Sequence, residues 1–223
     1  MRIARIRTAL VRWFEDHGRD LPWRALRAST FEKICVEVLL QRTRAETVAG
    51  IYDAFFERFP DWASLAAAER EELEAYLKPI GLWKRRASAI QGLATYANAR
   101  GGLFPSDARE HAAIPGVGQY VSNAILLFQH GKARPLLDVN MARVLERVVR
   151  PRALVDIRYD PWLQEAAEWL VKHDQPEKVN WAVLDYAAAV CKARTPSCGE
   201  CRLKHSCSWS KRELGRNELT SFC

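Results

Sequence analysis

The sequence predicts an all-α fold in which short turns join a series of amphipathic helices. Along most of the 223 residues, apolar side chains recur every three or four positions, the spacing of one buried helix face. No pair of segments shows the strict apolar–polar alternation of a half-buried strand. The separators are short and contain glycine or proline, and no long linker interrupts the chain. Any division into two lobes must therefore come from helix packing and not from a tether.

The helices can be placed in order along the chain. The first covers residues 2–17, where the apolar residues share one stripe. Ser29 and Thr30 are suitable N-caps for a second helix over residues 31–47. Similar periodicity predicts further helices over residues 48–58, 62–76, 84–99, 106–113, 119–130, 138–148, 161–172 and 178–190.

Composition limits the setting in which the protein works. No run of about 18 apolar residues occurs, so we expect no membrane span. The N-terminus is basic but lacks the continuous apolar segment of a signal peptide, which predicts an intracellular protein of the cytoplasm or nucleoid. The 34 Lys and Arg exceed the 27 Asp and Glu, giving a formal net charge of +7. Such a surface attracts polyanions, although charge alone does not identify a nucleic-acid partner.

Four of the six cysteines crowd together near the C-terminus. They form the pattern C-x6-C-x2-C-x5-C: Cys191, Cys198, Cys201 and Cys207. In an intracellular chain such crowding indicates metal binding before disulfides. Four thiolates suit either zinc or an iron–sulfur cube, and the unequal outer spacings favour the cube. The other two are Cys35, predicted to be a buried thiol, and Cys223.

A second pattern, Ile114-Pro115-Gly116-Val117-Gly118, separates two helical segments. Its glycines permit tight or left-handed backbone. The turn presents main-chain amides at the start of the next helix, where an anion can bind. A turn of this kind is a weak signal alone. It gains weight from Asp138, which follows that helix after a short connection.

Asp138 has two interpretations. The local sequence makes it an N-cap for the helix at 138–148. Alternatively, a fixed carboxylate at this place stabilises the positive charge that develops on a sugar when an N-glycosidic bond breaks, and orients water. The helix N-terminus favours the ionised carboxylate in either case.

Together these segments resemble the helix–hairpin–helix DNA glycosylase superfamily of endonuclease III. The resemblance covers residues from about 20 to 210, nearly the whole chain. It rests on six features: LPWR at 21–24, VEVLLQRT at 36–43, IGLWKRRA at 80–87, IPGVGQY at 114–120, LDVN at 137–140 and the four cysteines. It implies a 4Fe–4S cluster at those cysteines and a catalytic role for Asp138. It also implies that the target nucleotide is flipped out of double-stranded DNA.

The resemblance further implies two lobes. Residues 25–133 are expected to form a helical barrel lobe that carries the hairpin. Residues 1–24 and 134–223 are expected to form a cluster lobe, with the 4Fe–4S loop at 191–207. DNA is expected to lie in the groove between them, with Asp138 at its mouth, and we expect a monomer. The hairpin residues expected to contact DNA are Pro115, Gly116, Val117 and Gly118.

Three more residues are assigned to DNA by the resemblance. Gln41 matches the position that fills the gap left by the flipped base. Leu82 matches a wedge residue in the turn after Gly81. Arg42 is a hypothetical reader of the orphan guanine, since arginine suits the acceptors of that base. His111 is predicted to be an ordinary surface residue.

Tyr120 and Glu37 bear on the chemistry. Bifunctional members of the superfamily have a lysine at the place of Tyr120, which attacks the sugar and forms a Schiff base. A phenol cannot form that imine, so we expect hydrolysis without efficient strand cleavage; a core tyrosine is the alternative. Glu37 matches a glutamate of the substrate pocket, but it lies on the helical wheel with Gln41 and Arg44. A solvated helix face is therefore its alternative.

Two subfamilies remain open. Mismatch-specific thymine/uracil glycosylases have tyrosine at the place of Tyr120 and a motif, LLKRT, that is similar to LLQRT at 39–43. MutY-type adenine glycosylases share LPWR, the glutamate and the D-x-N around Asp138, but usually have serine at the tyrosine position. They also carry a C-terminal 8-oxoguanine reader domain, for which this sequence has no counterpart. We therefore expect excision of thymine or uracil mispaired with guanine.

Two alternatives belong to other functional classes. A non-enzymatic lesion sensor on the same scaffold has no need of a carboxylate at Asp138. A zinc-bound DNA-binding module would be colourless, whereas an iron–sulfur protein is brown.

Overall fold

The computed structural model describes residues 2–212, and all regular structure in that range is helical. The all-α prediction is confirmed. The α-helices are α1 (Arg2–His17), α2 (Thr30–Leu39), α3 (Ala45–Arg58), α4 (Trp62–Ala66), α5 (Arg70–Leu77), α6 (Trp83–Asn98), α7 (Gln119–Phe128), α8 (Val139–Val148), α9 (Pro161–Val171) and α10 (Pro176–Ala189). Short 3-10 turns occupy Pro22–Arg24, Lys78–Ile80, Glu110–Ala113 and Lys204–Ser206. None of the helices within residues 2–212 is both long and apolar enough to cross a bilayer.

The predicted helix over residues 31–47 was wrong in its second half. α2 ends at Leu39, and Arg42 has a φ of 60°, a left-handed conformation that a right-handed helix cannot include. The predicted helix over 62–76 is divided into α4 and α5. In each case the apolar spacing continues across a turn, so periodicity alone did not reveal the break.

The chain forms two compact units. One consists of the residues up to Arg19 together with those from Ala133 onward, and the other is Asp20–Lys132. In the Asp20–Lys132 unit, α2 packs against α6 and α7, and seven of its ten residues are buried. Its start is fixed by a capping box, in which Ser29 and Glu32 each accept a hydrogen bond from the other's main-chain amide. α2 is therefore a central helix and not a surface helix.

The other unit is built around α1, α8, α9 and α10. α1 packs on α9 and α10 through a buried stripe that contains Ile6, Leu10 and Trp13. At its end, the Arg19 main-chain amide and guanidinium both bind the buried carboxylate of Asp185, with a closest N–O distance of 2.7 Å. This pairing satisfies a carboxylate that would be costly to bury alone. The N-terminal helix thus belongs to the same unit as the C-terminal cysteine loop.

The hairpin before α7 needs glycine at one of its two glycine positions. Gly116 has a φ of 77°, and a Cβ added there would lie 3.0 Å from the carbonyl oxygen of Ala89 on α6. Gly118 has an extended backbone, and nothing lies within 4 Å of a Cβ built on it. The left-handed conformation allowed by the sequence is therefore found at Gly116 only.

This contrast gives a test of the hairpin geometry. Gly116→Ala is expected to lower the free energy of unfolding by about 1–3 kcal/mol, because it combines a strained φ with a main-chain clash. Gly118→Ala should stay within about 0.5 kcal/mol of the wild type, because its backbone is extended and its surroundings are open. Urea unfolding of both variants measures the difference. Equal losses at the two positions would contradict this account of the turn.

Candidate active site

Asp138 caps the N-terminus of α8. One carboxylate oxygen accepts hydrogen bonds from the main-chain amides of Asn140 and Met141, each at 2.9 Å. The predicted capping role is therefore confirmed. The cap also fixes the carboxylate at the start of the helix, next to the exposed Val139.

The second oxygen of Asp138 is held by a chain of side chains. Asn140 donates from Nδ2 to that oxygen at 2.5 Å, and Arg143 donates to Asn140 Oδ1 at 3.1 Å. Arg143 also donates from Nε to the carbonyl oxygen of Cys191 at 2.8 Å. The carboxylate is thus connected, through two side chains, to the main chain of the first cysteine of the loop. Sequence reasoning missed Arg143, although its i,i+3 spacing from Asn140 places both on one face of α8.

Burial raises the pKa of the Asp138 carboxyl above its ordinary value. The hydrogen bonds from Met141 and Asn140, and the charge of Arg143, act in the opposite direction but do not compensate. The helix N-terminus favours the ionised form, as the sequence predicts, but desolvation is the larger effect. The carboxylate therefore takes up a proton at higher pH than an exposed aspartate does.

Glu37 and Tyr120 form a buried pair in the other unit. The Tyr120 hydroxyl donates to Glu37 Oε2 at 2.7 Å. Glu37 is only 2% exposed, because α6 and α7 cover the helix face on which it lies. The alternative of a solvated helix face is therefore wrong for Glu37. The side chain of Tyr120 is half-buried at the start of α7, so the pair lies between α2 and α7.

The residues assigned to DNA are exposed. Gln41 and Arg42 lie in the loop after α2, and Leu82 lies in the turn before α6 with 54% of its surface exposed. In the hairpin, Val117 is partly buried and its neighbours are open to solvent: Pro115, Gly116 and Gly118. Gly118 is the N-cap of α7 and has no side chain to occupy the first turn.

His111 is buried, which corrects the prediction of a surface residue. Its ring nitrogens lie 2.7 Å from Ser122 Oγ and 2.8 Å from the carbonyl oxygen of Pro105. These contacts attach the 3-10 turn before the hairpin to α7. His111 therefore supports the hairpin from inside and has no access to a ligand.

The four clustered cysteines line one cavity, together with residues of α8 and α10. All four are free thiols, and several hydrogen bonds end on their sulfur atoms. Tyr186 donates its hydroxyl to Cys201 at 3.1 Å, the main-chain amide of Ser210 donates to Cys207 at 3.5 Å, and the Arg147 guanidinium lies 3.6 Å from Cys191. The predicted buried thiol, Cys35, is fully buried in the other unit, and Cys223 lies outside the described residues.

The donor set fits a metal cluster of thiolate ligands. Burial and the neighbouring thiols of the loop raise the pKa of Cys198, and a bound cationic centre would remove that penalty. Within residues 2–212 no three ligating side chains approach closely enough to hold a single metal ion. Four thiolates can in principle bind either a zinc ion or an iron–sulfur cube.

Comparison with known proteins places the chain in a family. Residues 35–157 match the model of the HhH-GPD superfamily of base excision DNA repair proteins. The chain belongs to this superfamily. The matched range includes Glu37, the hairpin and Asp138.

Similar relatives include three DNA glycosylases. The thymine-DNA glycosylase of Aeropyrum pernix is 35% identical over 92% of this chain and 94% of the relative. The thymine/uracil-DNA glycosylase of Pyrobaculum aerophilum is 36% identical over 91% of this chain and 90% of the relative. The adenine DNA glycosylase of Mycobacterium tuberculosis is 31% identical over 91% of this chain, which spans 66% of that relative.

Solved structures agree with this assignment. A thermostable thymine-DNA glycosylase superposes with a TM-score of 0.85 at 28% identity, covering 95% of this chain and 97% of that one. Endonuclease III in a non-covalent DNA complex superposes with a TM-score of 0.78 at 22% identity, covering 95% and 96% of the two chains, which shows a common fold. The resemblance deduced from sequence motifs is thereby confirmed.

Proposed function

We propose that this HhH-GPD protein is a monofunctional DNA glycosylase that hydrolyses the N-glycosidic bond of thymine or uracil mispaired with guanine. The observation that carries this proposal is the Tyr120–Glu37 pair. At the hairpin helix, where a Schiff-base enzyme needs an amine, this chain has a phenol that is hydrogen-bonded to a buried carboxylate. The thymine/uracil-specific relatives, at 35% and 36% identity over most of both chains, support the same base specificity.

In the proposed reaction, Asp138 works by electrostatics. As the bond between C1′ of the deoxyribose and the base breaks, positive charge develops on the sugar ring. The carboxylate, fixed by the α8 amides and by Asn140, stabilises that charge without reorganising. It also orients the water whose oxygen forms the new bond to C1′, and the departing base takes up a proton.

The remaining site residues are proposed to recognise the substrate. Tyr120 offers its half-buried phenol to the edge of a flipped pyrimidine, and the buried Glu37 holds that phenol in place by accepting its hydroxyl hydrogen bond. The exposed hairpin, at the N-terminus of α7, is proposed to bind a phosphate, and Lys192 and Arg194 of the cysteine loop add exposed positive charge. Double-stranded DNA with a mismatched base is therefore the proposed partner, and we expect a monomer to bind it.

The cysteine loop is proposed to hold a 4Fe–4S cluster on Cys191, Cys198, Cys201 and Cys207. A bound cluster supplies a rigid covalent staple for the loop. Arg147 and Tyr186 donate hydrogen bonds to two of the sulfur atoms, as thiolate ligands require. We propose the two lobes that the sequence predicts: a barrel lobe at 25–133, and a cluster lobe at 1–24 and 134–223. Residues 213–223 of the cluster lobe lie outside the described residues.

A panel of duplexes tests the function. The protein is incubated with G·T, G·U, A·G and A·8-oxoguanine duplexes, with alkali treatment of half of each sample. We expect abasic sites in the thymine and uracil strands, and strand cleavage only after alkali. Release of adenine alone would favour the alternative of a MutY-type adenine glycosylase. High-yield borohydride trapping, with endonuclease III as the positive control, would contradict a hydrolytic mechanism without a Schiff base.

A further inference from the structure

Arg86, at the start of α6, is a buried guanidinium that bonds to two separate loops. It is 5% exposed. Its Nη1 donates to the carbonyl oxygen of Ile80 at 2.8 Å and also contacts that of Gly81. Its Nη2 donates at 2.5 Å both to the carbonyl oxygen of Gln41 and to the hydroxyl of Thr43. One side chain therefore joins the loop after α2 to the turn before α6.

Both of these loops are strained. Arg42 has a φ of 60° and Leu82 a φ of 50°, and no other residue besides glycine has a positive φ between residues 2 and 212. A non-glycine residue adopts such a conformation only at a cost in free energy, so it persists only when its surroundings impose it. The carbonyls that Arg86 binds belong to Gln41, directly before Arg42, and to Ile80 and Gly81, the two residues before Leu82. A further contact, from Thr43 Oγ1 to the carbonyl oxygen of Ile80 at 3.3 Å, connects the two loops directly.

The burial of this arginine is not explained by stability alone. Removal from water penalises the guanidinium and lowers its pKa. Its Nε has no hydrogen-bond partner among the residues that the structure describes. An apolar side chain of similar volume fills such a position at lower cost. What the guanidinium adds is geometry, because its planar fork binds several acceptors at fixed angles.

We propose that Arg86 is a positioning residue that locks the Gln41–Thr43 loop and the Ile80–Leu82 turn into one rigid wedge. This inference rests on the proposed function, in which a base is extruded from the duplex. Extrusion requires the target base to unstack, and inserted side chains offset this cost only if the loops that carry them are rigid. With Arg86 in place, Gln41 and Leu82 reach the duplex at a fixed separation. Without its fork, each loop relaxes independently.

The test compares Arg86→Lys with Arg85→Lys. Both substitutions keep the positive charge and replace a guanidinium with an ammonium. Arg85 lies on the same helix as Arg86 but is exposed. A G·T duplex carries 2-aminopurine beside the thymine, and its fluorescence at saturating protein reports the extruded fraction. We expect Arg86→Lys to reduce the fluorescence gain at least about fivefold, since one ammonium cannot reproduce the fork, and Arg85→Lys to match the wild type.

Hydrogen exchange of the free protein gives the second measurement. In Arg86→Lys, the amides of residues 41–43 and 80–82 should exchange faster together, while those of α2 and α7 stay protected. If amide exchange became uniformly faster across the Asp20–Lys132 unit while the fluorescence at saturation matched the wild type, Arg86 would contribute only to general stability, and the proposal would be overturned. Wild-type exchange in both loops would also overturn it. If the wild type itself excises no base from G·T or G·U, the proposed function fails, and the exchange measurement still decides whether Arg86 locks the loops.

Discussion

Asp138→Asn is expected to abolish base release while leaving binding to a mismatched duplex intact. The substitution removes the negative charge that stabilises the sugar cation but keeps the size of the side chain. Losing a fixed electrostatic partner of a transition state costs at least about 10³-fold in rate. Asparagine is as good an N-cap as aspartate, so α8 should keep its start. Single-turnover kinetics and gel-shift binding on a G·T duplex measure the two effects separately.

The stability of this variant has a predicted sign. Burial raises the pKa of Asp138, so the folded protein favours the protonated form more than the unfolded chain does. Its contribution to stability is complete below the pKa of the unfolded chain, and is lost as the pH rises through the higher pKa of the folded state. At neutral pH the wild type therefore bears the cost of a buried charge. Asp138→Asn should unfold at the same or a higher temperature at pH 7, and its advantage should shrink in acid.

Asp160→Asn is the matched control. Asp160 is also a buried N-cap, at the start of α9, and accepts from the main-chain amides of Ala153, Leu154 and Leu163. These bonds lower its pKa, so its contribution to stability is present at neutral pH and disappears as the pH falls through that lowered pKa. Asp160→Asn should lose stability at pH 7 yet keep base release while folded. Full activity in Asp138→Asn would refute the mechanism.

The motifs identified the helix cap at Asp138 and the cavity lined by the four cysteines, but not the contacts that surround the candidate site. Asp138 and the four cysteines could be found from the sequence because short spacings and residue types define them. The surroundings of Glu37 could not, because a helical wheel of α2 alone does not include α7, which supplies the phenol of Tyr120. The roles of Arg86 and Arg143 depend on main-chain carbonyls 45 and 48 residues away, respectively, and no local pattern encodes such contacts.

If the proposed 4Fe–4S cluster is bound, Cys198→Ala is expected to remove the iron and the visible absorbance of the purified protein. It leaves three thiols where a cube needs four ligands, and the free energy of metal binding is also folding energy for the loop. Base release should fall about 10–100-fold, since loss of the residues that support a site typically costs that much. Hydrogen bonds connect the loop to Asp138. Arg143 donates to the Cys191 carbonyl and to Asn140, and Asn140 donates to Asp138. Iron analysis, visible spectroscopy and single-turnover kinetics measure these effects.

Cys35→Ala supplies the control for this experiment. Cys35 is a fully buried thiol of the other unit, so its truncation removes packing without touching the loop. It should cost about 1 kcal/mol of stability and leave iron, colour and rate unchanged. Zinc in place of iron in the wild type, in a colourless protein, would overturn the cluster and favour a zinc-bound module. If Cys198→Ala lost its colour but released base at the wild-type rate, the cysteine loop would not affect Asp138. The hydrogen bonds through Arg143 and Asn140 would then have no positioning effect.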